Sequence, residues 1–267
     1  MAAHAFVTNK HEVIYSKHSF AVYPIVTQAV GAKHVITQAI EWGHDLDAML
    51  ASVNDSTRLM FIANPNNPTG TWVDKNNLRN LLEKIPSHVI VLVDEAYFEY
   101  AKIEIVYPYC SSWISDFHNL IVTRTFSKAY GLAALRIGYS LSHSKIADLL
   151  NRVRQPFNNN SLALVAAEVA LRDSEYIESS IKLNQSGMKQ LTQAFDNIGL
   201  EYIPSKGNFM CVNFKQPAIG IYENLLKGGV IVRPISDYDM PNHLRITIGL
   251  EHENTKFIEE LEKIMTK

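Results

Sequence analysis

Short apolar segments rich in β-branched residues, separated by helical stretches, most constrain how this chain can fold. Strands are predicted at residues 13–15, 34–36, 58–63, 88–93 and 120–123. Residues 74–84 have the spacing of an amphipathic helix, and residues 103–117 form a looser connection. Because strands that alternate with helices are typical of βαβ units, we predict an α/β fold with a mainly parallel sheet.

Longer helices characterise the chain from about residue 142 onward. Helices are predicted at 144–153, at 160–195 with a break near Asp173, at 218–227 and at 253–265, and strands at 210–214, 230–232 and 243–248. This mixture predicts a smaller α+β domain. We therefore divide the chain into residues 1–175 and residues 176–267.

Composition excludes several classes of function. The chain has 25 Lys and Arg against 27 Asp and Glu, so its net charge does not favour nucleic acid or an acidic membrane as a partner. Cys110 and Cys211 are its only cysteines, which is typical of a reducing compartment. No apolar run of about 18 residues and no signal peptide occur. We predict a soluble, cytoplasmic protein.

Three polar clusters directly follow the three strongest predicted strands. They are Asn-Pro-Asn-Asn-Pro-Thr-Gly at 64–70, Asp-Glu-Ala-Tyr at 94–97 and Thr-Phe-Ser-Lys at 125–128. Taken singly, they also fit a tight turn, a helix cap and a solvated lysine. In an open α/β sheet, however, ligands bind at the carboxyl ends of the strands, so the three clusters are predicted to converge on one crevice.

Together with residues 15–23, 129–138, 154–158 and 243–249, these clusters resemble the motifs of fold-type I pyridoxal-phosphate-dependent aminotransferases. Within them, the chain is most similar to the histidinol-phosphate aminotransferase group, and the similarity runs along essentially the whole chain. The resemblance implies a mixed, mainly parallel sheet flanked by helices, with a smaller C-terminal α+β domain. It also implies pyridoxal 5'-phosphate as the cofactor.

The chemistry of this cofactor requires an amine and a carboxylate from the protein. By resemblance, Lys128 is the catalytic lysine that bonds to the cofactor aldehyde and moves a proton. Asp94 corresponds to the carboxylate that keeps the pyridine nitrogen protonated, since an opposite charge nearby favours the charged ring. The remaining residues expected to bind the cofactor are Asn67 and Tyr97 at the ring oxygen, Phe20 on the ring face, and Thr125, Ser127 and Arg136 at the phosphate.

The resemblance also implies a substrate site. Arg245 matches the residue that binds the carboxylate of the amino acid, and Arg233 with Tyr23 is expected to recognise the far end of the substrate. The implied reaction is a ping-pong amino transfer between L-histidinol phosphate and 2-oxoglutarate in histidine biosynthesis. A homodimer with sites near the subunit interface is also implied.

The sequence is also compatible with other functions of the same fold, while motifs of several unrelated sites are missing from it. An aromatic-amino-acid aminotransferase or a threonine-phosphate decarboxylase would use the same fold, and a non-catalytic remnant would keep the fold without the cofactor. The Ser-x-x-Lys pattern at 142–145 lacks the companion motifs of serine acylation. The ten histidines show no metal-ligand spacing, and neither nucleotide-binding glycine motif occurs.

Family members carry a further N-terminal portion ahead of the region that matches residues 1–7. It contains an arm, a tyrosine that reaches the neighbouring subunit's cofactor, and a Gly-Ser-rich loop whose amides hold the cofactor phosphate at a helix N-terminus. The resemblance thus implies a large domain that is incomplete at its N-terminus. Weaker cofactor binding is the expected consequence.

Overall fold

The computed structural model describes residues 1–265 and contains two main sheets and a short hairpin. In chain order, the strands are β1 (Glu12–Ser16), β2 (Lys33–Thr37), β3 (Ala39–Ile40), β4 (Gly43–His44), β5 (Thr57–Ala63), β6 (Ile90–Asp94), β7 (Leu120–Thr125), β8 (Gly138–Ser142), β9 (Glu201–Ile203), β10 (Phe209–Asn213), β11 (Arg233–Pro234) and β12 (His243–Thr247). The helices are α1 (Ala2–Phe6), α2 (Val22–Ala29), α3 (Leu46–Ala51), α4 (Lys75–Lys84), α5 (Phe98–Ala101), α6 (Ser144–Val153), α7 (Ser161–Ala170), α8 (Ser174–Ile198), α9 (Ile219–Lys227) and α10 (Glu251–Met265). Short 3₁₀ turns cover Cys110–Trp113, Ala133–Leu135 and Ser236–Tyr238.

The larger sheet has six strands in the order β2-β1-β5-β6-β7-β8. All neighbours pair in parallel except β7 and β8, which pair antiparallel. The predicted mainly parallel sheet is confirmed, and the five strands predicted before residue 125 are present. The antiparallel strand β8 was not predicted, because its sequence, Gly-Tyr-Ser-Leu-Ser, is not rich in β-branched residues.

Both faces of this sheet are covered, which explains why β5, β6 and β7 each contain a continuous apolar run. Alternate residues of β5 enter different cores: Met60 and Ile62 pack on one face, and Leu59 and Phe61 pack on the other. Strand β7 alternates in the same way. Both layers of packing fix the carboxyl ends of β5, β6 and β7 side by side.

Two predicted helix boundaries have clear local causes. Helix α4 follows Asp74, whose carboxylate accepts hydrogen bonds from the backbone N–H groups of Asn76 (2.8 Å) and Asn77 (3.0 Å). The predicted break near Asp173 is confirmed, because α7 ends at Ala170 and the Asp173 carboxylate caps α8 through the N–H of Tyr176 at 3.0 Å.

The smaller sheet is antiparallel and has the order β11-β12-β10-β9. Its apolar side packs against α8, α9 and α10 through a core that includes Leu191, Phe195, Leu244 and Phe257. The N-terminal half of α8 instead packs on Tyr97 and Tyr100 beside the larger sheet. Helix α8 therefore contacts both the smaller sheet and the segments that follow β6 and β7. The division at residue 175, which lies at its start, stays a prediction.

The predicted strand at 230–232 is wrong, since the strand is Arg233–Pro234. Gly229 has a φ of +77° just after α9, and the Val230 N–H donates to the Leu225 carbonyl at 2.9 Å. These contacts tie the apolar residues to the end of the helix. Ile231 is 81% exposed, so the segment does not form a ladder with β12.

Candidate active site

The carboxyl ends of β5, β6 and β7 surround one cavity of about 710 Å³. Its lining contains all the predicted cofactor and catalytic residues together with Tyr23: Phe20, Tyr23, Asn67, Asp94, Tyr97, Thr125, Ser127, Lys128 and Arg136. The three polar clusters therefore converge on one crevice, as expected for a parallel sheet. Of the predicted site residues, Arg245 and Arg233 are outside this lining.

Asp94 ends β6 in the wall of the cavity and is held by several donors. The Tyr23 hydroxyl donates to its Oδ2 at 3.0 Å. Burial raises the pKa of Asp94, while hydrogen bonds from Tyr23 and Thr123 and the nearby Lys128 amine act in the opposite direction. Tyr23 is 3% exposed, and its ring stacks on Phe61 at 4.4 Å with an interplanar angle of 4°. The carboxylate thus has a fixed position at the sheet edge.

Lys128 lies in the loop after β7 and points into the same cavity. Its Nζ is 5.4 Å from the centre of the Tyr97 ring. Burial lowers the pKa of Lys128, and the positive charges of Arg245 and Arg136 lower it further, against the opposing effect of Asp94. A lysine with a lowered pKa has a larger neutral fraction, which is the nucleophilic and proton-accepting form.

The lining of the cavity also includes the hydroxyl groups of Thr125 and Ser127 and the guanidinium of Arg136. The Ser127 N–H donates to the Thr125 hydroxyl oxygen at 3.1 Å, which fixes the turn between them. Arg136 has a φ of +53° after the 3₁₀ turn Ala133–Leu135, and its Nη1 donates to the Ala133 carbonyl at 2.8 Å. This left-handed conformation is uncommon for a residue other than glycine and helps direct the guanidinium to the cavity.

Arg245 reaches this region from β12 of the smaller sheet. Its Nη1 donates to the Asn67 side-chain oxygen, and its guanidinium lies 5.1 Å from the centre of the Phe209 ring. The Nε of Arg245 is buried and has no hydrogen-bond partner within residues 1–265. A buried donor without a partner is costly, so this guanidinium is suited to an anionic ligand.

Arg233 is not brought into the cavity. It lies opposite Arg245 in the register of β11 and β12, but its side chain is 59% exposed and forms an ion pair with Asp237 at 3.5 Å. Directly opposite residues project on the same side of a sheet. Its predicted role at the far end of a substrate therefore stays a prediction.

Arg124 is a cavity residue that sequence reasoning missed. Its guanidinium contacts the fully buried Glu95 at 2.7–2.8 Å and lies 3.4 Å from the centre of the Phe98 ring. The cluster at 94–97 also fits a helix cap, but α5 has no side-chain cap and Glu95 pairs with Arg124 instead. The signal was a charged residue directly between the predicted strand at 120–123 and the polar cluster at 125–128. Such a residue is rarely buried without a partner.

Rival sites find no support in the described part of the chain. Residues 1–265 contain no group of three His, Cys, Asp or Glu side chains placed to bind a metal. The Ser-x-x-Lys pattern spans the end of β8 and the start of α6, where Ser144 and Lys145 are exposed and outside the cavity. A search of the same residues for a helix able to span a membrane finds none.

Comparison with known proteins adds a family. Residues 1–261 match the model of the family described as aminotransferase class I and II. Histidinol-phosphate aminotransferase 1 of Nitrosococcus oceani is 54% identical over 264 residues, which are 99% of this chain and 71% of that protein. Histidinol-phosphate aminotransferase 2 of Pseudomonas fluorescens is also 54% identical, over 100% of this chain and 72% of its own length.

Solved structures agree with the sequence relatives. Histidinol-phosphate aminotransferase from Sinorhizobium meliloti, in complex with pyridoxal-5'-phosphate, superposes with a TM-score of 0.92 at 26% identity and covers 99% of this chain and 73% of its own. L-threonine-O-3-phosphate decarboxylase from Porphyromonas gingivalis superposes with a TM-score of 0.82 at 22% identity, covering 97% and 78%. The second likeness concerns the fold alone.

Proposed function

The chain belongs to the aminotransferase class I and II family, and from that premise we propose that it transfers an amino group between L-histidinol phosphate and 2-oxoglutarate. The observation that carries the proposal is the convergence of the Lys128 amine and the Asp94 carboxylate on one cavity. The relatives that share about half of its residues are named histidinol-phosphate aminotransferases, which favours this reaction over the aromatic aminotransferase and the decarboxylase. Histidine biosynthesis is the corresponding pathway.

The donor set of the cavity fits pyridoxal 5'-phosphate. When bound, this group supplies an electron sink for breaking a bond at the substrate's α-carbon. Thr125, Ser127 and Arg136 offer hydroxyls and a guanidinium suited to its phosphate, and Phe20 offers an aromatic face for its ring. Asn67 and Tyr97 also line the cavity, and we propose them as donors for its ring oxygen.

In the proposed mechanism, Asp94 holds a proton on the ring nitrogen. Its carboxylate must be charged to do so, and burial alone would favour the neutral form by raising its pKa. The hydroxyl of Tyr23 offsets part of this effect because it donates to the carboxylate. Tyr23 is thus proposed to support Asp94, in addition to the substrate role expected from its sequence position.

Lys128 is proposed to move the proton at the substrate's α-carbon. The lowered pKa of its amine increases the neutral fraction that can accept this proton. Arg245, with its unpaired Nε, is proposed to bind the carboxylate that amino-acid and oxo-acid substrates share. Arg233 remains the proposed ligand of the distal phosphate, since it lies opposite Arg245 in the strand register.

A homodimer is proposed on the basis of the family resemblance and of one exposed surface. Leu162, Val165 and Val169 project from the same side of α7 with exposed fractions of 76%, 63% and 63%. Exposed apolar groups at this spacing are typical of protein interfaces.

We also propose a cytoplasmic location, which the cysteine content supports. The division into residues 1–175 and 176–267 is likewise a proposal.

The test is an assay of the purified protein incubated with the cofactor. Glutamate formation from 2-oxoglutarate is measured with histidinol phosphate and with a panel of aromatic amino acids, and carbon dioxide release is measured with threonine phosphate. Borohydride treatment followed by peptide mapping should locate the cofactor on Lys128. A colourless, unlabelled protein would indicate a non-catalytic chain, whereas labelled protein that prefers another substrate would point to a different aminotransferase.

A further inference from the structure

We infer that Trp42 is a positioning residue which, held between His18 and His243, keeps the smaller sheet in place so that Arg245 can bind a substrate carboxylate. This inference rests on the proposed function. Trp42 lies in the turn between β3 and β4, next to the larger sheet, and does not line the cavity that contains Lys128. Its role would therefore be exerted through Arg245.

Trp42 lies between two imidazole rings that belong to different parts of the fold. Its ring centre is 5.2 Å from that of His18, just after β1, and 4.9 Å from that of His243, the first residue of β12. The interplanar angles of 53° and 66° are inclined, edge-directed arrangements that aromatic rings favour. The stack consequently joins the smaller sheet to the segment after β1.

His18 is fixed by further contacts. Its Nδ1 is 2.6 Å from the Tyr238 carbonyl of the smaller domain, and its own carbonyl accepts a hydrogen bond from the Asn66 side chain at 3.0 Å. Its φ of +58° lies in the left-handed region, which is uncommon for a residue with a side chain. Next to it, Lys17 pairs with Asp239 at 3.3 Å.

The stack is connected to Arg245 through two routes. His243 and Arg245 are two residues apart on β12 and project on the same side of the sheet. The second route runs through the loop after β5. There, the Asn66 side chain donates to the His18 carbonyl, and the adjacent Asn67 accepts a hydrogen bond from Arg245. A rotation of the smaller sheet would thus change the position of Arg245 and break the stack together.

On one side of the stack of His18, Trp42 and His243 lies a cavity, so no other side chains of residues 1–265 pack the two sheets together at that place. A cavity of about 900 Å³, partly lined by Trp42 and His243, separates Asp45 and Asn77 from Tyr202 on the edge strand β9. The aromatic contacts therefore contribute to the contact between the two sheets here, together with the hydrogen bonds of His18 with Tyr238 and of Arg245 with Asn67. Because small displacements of a binding group strongly weaken its action, loosening this contact should affect carboxylate binding.

The experiment compares Trp42→Asn with Trp42→Phe. Asparagine tolerates the φ of +67° at this position but removes the ring, whereas phenylalanine keeps an aromatic group. We expect Trp42→Asn to raise KM for both the amino acid and the oxo acid by about tenfold, because two aromatic contacts are lost. The cofactor absorption band and kcat should change little, and Trp42→Phe should recover most of the affinity.

Trp72→Leu is the matched control, since Trp72 lines the same 900 Å³ cavity but contacts Tyr107 within the larger domain. It should leave KM unchanged. A second readout is the Kd of succinate, an unreactive dicarboxylate, measured by calorimetry on the cofactor-loaded protein. This readout separates the proposed function from the role of Trp42. A wild-type protein that shows no amino transfer would contradict the proposed function. The comparison of succinate binding between wild type and variant would still test the role of Trp42.

A folded Trp42→Asn variant that binds succinate as tightly as the wild type would overturn the inference. An equal loss of cofactor and succinate affinity would also overturn it, since that result indicates general damage. If Trp42→Asn does not fold, His18→Asn takes its place: it keeps a residue that tolerates positive φ and removes one ring of the stack. Unchanged succinate binding in that variant would overturn the inference in the same way.

Discussion

Replacing Tyr23 with phenylalanine removes a single hydroxyl that supports the Asp94 carboxylate. The phenylalanine ring can keep the stacking on Phe61 at 4.4 Å, so no cavity forms. A hydrogen bond to a charged group contributes about 1.5–3 kcal/mol. Because Thr123 also donates to Asp94, we expect the lower end of this range. This corresponds to a fall of roughly tenfold in kcat/KM.

The pH dependence gives this prediction its sign. In the proposed mechanism, Asp94 must be charged to hold the ring proton. Loss of the Tyr23 hydrogen bond should raise its pKa beyond the increase that burial already causes. Activity that requires the charged carboxylate is present above that pKa and is lost as the pH falls through it. The acid limb of the kcat/KM profile should therefore move to higher pH.

The assay is the pH profile of kcat/KM for histidinol phosphate and for one aromatic amino donor. Tyr15→Phe is the control, since Tyr15 is also buried but its hydroxyl contacts His34 at 2.6 Å. If Tyr23 acts through Asp94, both substrates are affected equally. A loss confined to KM for histidinol phosphate, with an unmoved acid limb, would refute this reasoning and support recognition of the substrate's far end.

Four further predictions follow from the geometry. Lys128→Arg should reduce kcat by about 10²–10⁴-fold, and borohydride should no longer label the protein. Arg245→Ala should raise KM for every carboxylate substrate by roughly tenfold or more, since a charge-assisted contact is lost; steady-state kinetics with two amino donors would reveal it. Arg233→Ala should lower kcat/KM for histidinol phosphate by a similar factor and leave a donor without phosphate unaffected; an unchanged value would contradict its assignment. Gly70→Ala should destabilise the protein by about 1–3 kcal/mol in urea unfolding, because φ is +78° and the new Cβ would overlap a serine side chain, while Gly199→Ala, at the same φ with open space around it, should cost less.

Local sequence patterns predicted the elements that carry the candidate site. Strands β5, β6 and β7 could be recognised because both faces of a parallel sheet are buried, so each strand contains a run of at least three consecutive apolar residues. The polar clusters that follow these strands could be predicted to lie together, because the carboxyl ends of parallel strands meet at one edge of the sheet. The positions of Asp94 and Lys128 on one cavity follow from this rule.

Contacts between distant segments could not be predicted in the same way. The hydrogen bond from Arg245 to Asn67 joins residues 178 positions apart, and the stack of His18, Trp42 and His243 joins three separate segments. The hydrophobic periodicity of a sequence contains no information about which distant segments contact each other. The misplaced strand at 230–232 has a related cause, since its apolar residues complete the end of α9, which the β-branched composition did not reveal.

The chain distributes its proposed tasks between two sheets. Lys128 and Asp94 lie at the edge of the six-stranded sheet, whereas Arg245 and Arg233 belong to the four-stranded sheet. Substitutions in one strand of the smaller sheet can therefore alter substrate preference without disturbing Lys128 and Asp94. Directed evolution for a new amino donor should accordingly begin with β11, which carries Arg233, and leave Arg245 and the parallel sheet untouched.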